Sequence, residues 1–176
     1  MTKPPRLPLV EVPEDPLTRE LFDRLAPGRG ILNLHRMMAH APLLMKASGE
    51  MAFALRRNTE LPRAVAELII LRVAEMTDCA YETAQHLPLA RQAGLTERQI
   101  AEVARWRESA LFTDAEKAAL AFAEKATRGE AADDKEFGAL RHHFSPREIV
   151  ELTLLVGFYV STAIFIKALA VPDEKA

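Results

Sequence analysis

A second cysteine is missing from this chain of 176 residues, and a single thiol excludes any internal disulfide. Glycine is scarce, seven in all, and too scattered to form a loop that cradles phosphate. Neither sign of charge dominates: Lys+Arg 23 against Asp+Glu 25 leaves a net charge of −2. That gives no electrostatic footprint for nucleic acid or anionic lipid. Sustained alternation of β-branched residues is absent, so no strand is expected. The N-terminal stretch "MTKPPRLPLVEVPEDP" has no apolar core of the secretory kind, and the expected location is the cytoplasm. Long hydrophobic runs are also lacking. The longest, Leu152 to Ile166 between Glu151 and Lys167, falls short of the roughly 18 to 20 apolar residues a membrane span needs. It follows the helix-start signal "SPRE" and reads as a buried helix, with Gly157, Ser161 and Ala163 admitting close neighbours.

What is present is helical. At 49% hydrophobic the chain suits one globular domain with a substantial core. Residues 1–15 are proline-rich, which favours an extended arm, and residues 16–176 are expected to form the domain. Leu17, Leu21 and Leu25 recur at helical spacing before Pro27 and Gly28 stop the pattern. Two helices are expected in the segment that follows, with breaks near Pro42 and Gly49. Thr96 with Gln99, Thr113 with Glu116, and Ser145 with Glu148 fit capping boxes, which satisfy the unpaired amides of a first helical turn. Gly94 and Gly129 sit where a left-handed helix terminus wants glycine. The sum is an all-α chain of about seven to nine helices. Short echoes at 62–68, 97–103 and 146–152, the clearest being "PRAVAEL" and "PREIVEL", point to duplicated helical hairpins.

The single cysteine lies in "TDCAYETAQH", Thr77 to His86. If a helix opens near Cys79, capped by Thr77 or Asp78, then at ~100° per residue Glu82 and His86 share a ~60° stripe with it. A thiol in a first helical turn is favoured as thiolate, and His86 is a proton exchanger near neutral pH. An ionised Glu82 opposes the thiolate unless it is protonated or paired with His86. Glu67 is the only charged residue in "AVAELIIL", a segment apolar on nearly every face. Burial there favours its protonated form and makes it a candidate proton carrier.

The series Glu67, Cys79, Glu82, His86, continuing through Ala90 and Gly94, resembles the site of the alkylhydroperoxidase D and carboxymuconolactone decarboxylase superfamily, over about residues 45–125. The resemblance implies an AhpD-like all-α bundle of helical hairpins, a single domain, and a homo-oligomer whose helices pack between subunits near the site. It implies no cofactor and no metal. Peroxidatic members carry a second cysteine where this chain has Glu82, so their intramolecular disulfide cannot form here. The spacing Glu82 to His86 resembles the decarboxylase branch, which removes CO2 from a lactone acid and does not depend on the cysteine.

Three functions are therefore expected to compete. Cys79 reduces a hydroperoxide with Glu67 and His86 moving protons and an external thiol as reductant; Glu82 and His86 perform acid–base chemistry on a small organic acid or lactone; or an oligomeric helical module senses redox state or binds a partner without turnover. Plainer readings stand beside these. Cys79 is a small buried hydrophobe, His86 is bonded inside a helical interface, and Glu67 is a structural pairing group like Glu102 and Glu151. His142 and His143, beside Arg141, read as helix C-terminal cations. His35 and His40, five apart, lack the spacing of a zinc-protease helix. Tyr81, Trp106, Phe158 and Tyr159 line a pocket or fill the core.

Overall fold

The computed structural model describes residues 4–27 and 30–174; Gly28, expected at the end of the first helix, lies outside them. Among the described residues there are only helices: α1 Pro16–Leu25, α2 Asn33–Met38, α3 Pro42–Arg57, α4 Arg63–Met76, α5 Ala80–Gln92, α6 Glu97–Glu102, α7 Asp114–Thr127, α8 Asp134–His143 and α9 Pro146–Leu169, with a 3-10 turn at Val103–Arg105. The all-α expectation is met, and the helix count falls at the top of the expected range.

The chain divides into two compact units, one formed by residues 1–54 with 165–176 and the other by Leu55–Ile164. In the first, Phe22, Ala39 and Met45 form a small core joined by Val10, Leu21 and Ile31. The proline-rich arm is tied to this unit. Arg6 donates its amide to the Leu169 carbonyl at 2.9 Å, and His40 Nε2 lies 2.8 Å from the Pro8 carbonyl oxygen. His35 Nδ1 accepts from the Leu32 amide at the start of α2. Both histidines are thus engaged with backbone. Pro42 does mark a helix start, but Gly49 breaks nothing: α3 runs through it, since one glycine costs a helix only about 1 kcal/mol.

In the second unit α4 is the central element, with Leu68, Ile69 and Ile70 fully buried, packed against α5 and α7 while α7 packs on α8. Capping boxes at Thr96–Gln99 and Thr113–Glu116 form as expected, as does the reciprocal pair of Ser145 and Glu148. A fourth, Asp133 with Glu136, was hidden because its first residue is an acid and not Ser or Thr. Gly94 and Gly129 take positive φ, 97° and 72°. Glu151 on α9 accepts the amides of Glu60 and Leu61 at 2.8 and 2.9 Å, fixing the chain just ahead of α4. Leu152, Leu155, Val156 and Ala163 face inward on α9. Gly157 and Ser161 do not: they lie exposed with Val150, Leu154 and Ile164, so the close approach expected for them is not made among the described residues. By length and composition α9 is apolar enough to cross a membrane, a test that core helices of water-soluble proteins also pass.

Candidate functional site: a histidine between two carboxylates

α4 and α5 form a hairpin, and its turn is built without glycine. The Asp78 amide donates to the Glu75 carbonyl and the Cys79 amide to the Ala74 carbonyl at 2.8 Å, the paired bonds of a Schellman motif. The motif needs a left-handed residue, and Asp78 supplies it at φ 49°; aspartate tolerates that region better than most residues. Thr77 turns its hydroxyl back onto the Val73 carbonyl at 2.7 Å. The expectation that Thr77 or Asp78 caps the next helix is therefore corrected: Cys79 is itself the N-cap, and α5 begins at Ala80.

This hairpin brings Glu67, Glu82 and His86 together. Glu67, with no exposed surface, points an oxygen at His86 Nδ1 at 2.8 Å. His86 Nε2 lies 3.4 Å from Glu82 Oε2. Arg63, one turn before Glu67 on α4, donates from Nη2 to the other Glu67 oxygen, while its Nη1 is buried without a hydrogen-bond partner. Glu82 and His86 are buried, as is Cys79. Cys79 is the N-cap of the same helix, three residues before Glu82. Tyr159 from α9 closes the site, edge-on to the imidazole with ring centroids 4.9 Å apart, and Phe158 packs against Tyr159. Burial chiefly pushes the Tyr159 phenol well above its ordinary value, and the negative charges of Glu82 and Glu67 add to this against Arg56 and Arg63. A phenol so placed stays protonated at neutral pH.

The arrangement has a definite chemical capacity. A neutral imidazole carries one N–H, so it cannot donate to both carboxylates at once. The imidazole bridges the two carboxylates, 2.8 Å from Glu67 and 3.4 Å from Glu82. No group of three or more Cys, His, Asp or Glu side chains suited to a metal occurs among the described residues.

The other buried carboxylate of this unit was not foreseen. Glu124 on α7 accepts Arg72 Nε and Trp106 Nε1, each at 2.8 Å, and pairs with Arg107 at 2.7 Å; Arg107 stacks 4.2 Å over the Trp106 ring. Trp106 is thus a core residue with a satisfied donor. Burial alone would raise the Glu124 carboxyl, but the bonds from Arg107, Trp106 and Arg72 outweigh it and hold it below the usual range. Arg63 was also missed, although its position four residues before Glu67 on a helix was a readable signal.

Solved structures share this fold. An uncharacterized peroxidase-related protein from Silicibacter sp. TM1040 superposes with a TM-score of 0.82 at 23% identity, over 98% of this chain and 93% of that one. ATU0492 of Agrobacterium tumefaciens, a protein of unknown function assigned provisionally to antioxidant defence as AhpD, gives 0.72 at 27% identity over 79% and 96%. The debrominase Bmp8 gives 0.79 at 17% identity over 94% and 90%. The fold is therefore AhpD-like. The pattern of the carboxymuconolactone decarboxylase family matches residues 42–125, and the chain belongs to that family. Two uncharacterized relatives agree in extent. YnjA of Escherichia coli K12 is 32% identical over 121 residues, 68% of this chain and 66% of that protein. YdfG of Bacillus subtilis 168 is 30% identical over 103 residues, 57% and 70% respectively. The chain thus spans just under two thirds of YnjA.

Proposed function

We propose that this chain is a thiol-dependent peroxidase in which Cys79 attacks a hydroperoxide and the Glu67–His86–Glu82 unit moves the proton. The observation that carries the reading is the imidazole held between two buried carboxylates on the helix whose N-cap is the only cysteine. In the first step the Cys79 thiolate bonds to one peroxide oxygen, the O–O bond breaks, and His86 gives a proton to the departing alkoxide. Sulfur is oxidised to the sulfenic acid and the hydroperoxide reduced to an alcohol. With Glu82 in place of a second cysteine, an external thiol condenses with the sulfenic acid and water leaves. A second thiol then frees Cys79 and departs as the external disulfide. The resemblance of the fold to peroxidase-related and AhpD-like proteins supports this choice. No cofactor is required.

One observation favours a second reading: the relay is complete without sulfur. Glu82 and His86 would then exchange protons with a small organic acid or lactone, as a decarboxylase or isomerase, with Cys79 lining the pocket. The test is consumption of tert-butyl hydroperoxide with dithiothreitol as reductant, comparing the wild type with Cys79→Ser and His86→Gln. Loss of turnover in both supports the peroxidase. Turnover retained in Cys79→Ser removes it, and the search then passes to lactone and β-keto acid substrates. Self-association belongs to the same proposal: the exposed residues Leu154, Gly157, Ser161 and Ile164 lie at three-, four- and three-residue steps along α9, the spacing of a helix-packing seam. Light scattering of the chain and of Leu154→Glu measures it.

A further inference from the structure

A groove lies at the elbow between α8 and α9, lined by none of Glu67, Glu82 and His86. Its volume is about 710 Å³, in the range of small-molecule sites. Its lining is of two kinds. Phe144 and Ile149 are buried at its apolar side, where Phe137 and Val150 are 40% and 58% exposed. The other side is Arg141, His142 and His143, and no acidic residue lines the groove. Position at a helix C-terminus accounts for the sign of these side chains but not for their lack of partners.

Three acids of these two helices and their caps are engaged elsewhere. Glu148 closes the cap of α9 on the Ser145 amide at 2.8 Å. Glu136 pairs with Lys125 at 2.7 Å, and Asp133 caps α8. The two imidazoles meet each other edge-on, 4.8 Å between centroids, and Arg141 makes no ion pair or hydrogen bond with the described residues. An unspent guanidinium fork beside a partly open aromatic and aliphatic wall is complementary to a ligand that is anionic and planar at one end and apolar along the rest.

We propose that this groove binds an amphipathic carboxylate, a medium-chain fatty acid anion, with its carboxylate on Arg141 and its hydrocarbon along Phe137, Phe144, Ile149 and Val150. The hydrocarbon explains why exposed apolar side chains border a cationic cluster, and the planar headgroup suits one arginine better than it suits a lysine-rich surface. The occupant is a free acid and not a bilayer, because the groove is concave and only one strongly basic residue lines it.

The experiment is titration of the full chain with octanoate, with acetate and octanamide as controls, read by calorimetry and by backbone amide shifts. Octanoate is expected to bind and to move the amides of residues 137–150. Acetate, without a tail, and octanamide, without a charge, are expected to bind at least about tenfold more weakly. Arg141→Gln is exposed, is expected to fold normally by circular dichroism, and should weaken octanoate by a similar factor; Phe137→Ser tests the apolar side independently. Octanamide binding as tightly as octanoate, unchanged affinity in Arg141→Gln, or shifts centred on His86 would each overturn the proposal. So would a change of molecular mass in Phe137→Ser, which would make the groove a contact between copies. Co-sedimentation with phosphatidylglycerol vesicles in the absence of octanoate binding would overturn it in favour of a membrane surface.

Discussion

Glu67 and Glu124 are buried to nearly the same depth in one unit, 0% and 2% exposed, and they are held in opposite ways. Glu124 receives donors that never give up their protons at working pH: two arginines and an indole. These donors favour the anion over the acid, and the carboxylate serves to clasp α4, the 3-10 turn and α7. Glu67 has one arginine partner, Arg63, and one histidine partner, His86, itself shared with Glu82. Equal burial thus serves a clasp of fixed cations in one place and a histidine shared between two acids in the other. Under the proposed function the second arrangement carries the proton, and depth alone does not separate the two.

The contrast is sharpest in activity. Glu67→Gln and His86→Gln are expected to lower peroxide turnover by about 10²- to 10⁴-fold, while Glu67→Gln changes urea-unfolding stability by no more than about 1.5 kcal/mol. Glu124→Gln should do the reverse. Stripping the anion from Arg72 and Arg107 is expected to cost about 3 kcal/mol or more, with turnover per folded molecule preserved. Equal stability losses in the two variants would erase the distinction.

The same substitution alters the acid limb of the stability curve. A carboxyl depressed in the fold contributes stability above its unfolded value near 4.5, lost as pH falls through the folded value. The limb should therefore be shallower in Glu124→Gln. At the alkaline end the sign is opposite. Tyr159 stays protonated in the fold while the unfolded chain ionises near 10, so its contribution is complete below that pH and is lost as pH rises further. Tyr159→Phe should remove that slope, and ultraviolet titration of the wild type should show a late-ionising tyrosine that Tyr159→Phe lacks. The smallest effect is expected at the turn. Asp78→Gly relieves a left-handed aspartate and should stabilise the chain by about 0.5 to 1 kcal/mol, measured by urea unfolding.

Much of this was legible in the residues. The capping boxes, the left-handed glycines and the spacing from Glu67 to His86 are local signals, and local signals carry helices and hairpins. The partner of a buried acid is not local. Glu67 in "AVAELIIL" and Glu124 in "AALAFAEKA" look alike as single acids in apolar helices, and only the fold reveals that one meets a histidine 19 residues on and the other an arginine 52 residues back. The capping of α5 was misread for a related reason. Thr77 and Asp78 are both good N-caps by type, but the preceding helix claims the Thr77 hydroxyl and needs Asp78 in its terminal turn.

That glycine-free turn also orders events in time. The bond from Glu67 to His86 closes a loop of 19 residues, against 52 for Glu124 with Arg72 and 90 for Glu151 with Leu61. Since closure entropy grows with loop length and short-range contacts form soonest, a refolding chain is expected to join Glu67 to His86 before it builds the clasp of Glu124 or seats α9 against the start of α4. The histidine and its acid are then the first to meet, and the walls that hide them arrive afterwards.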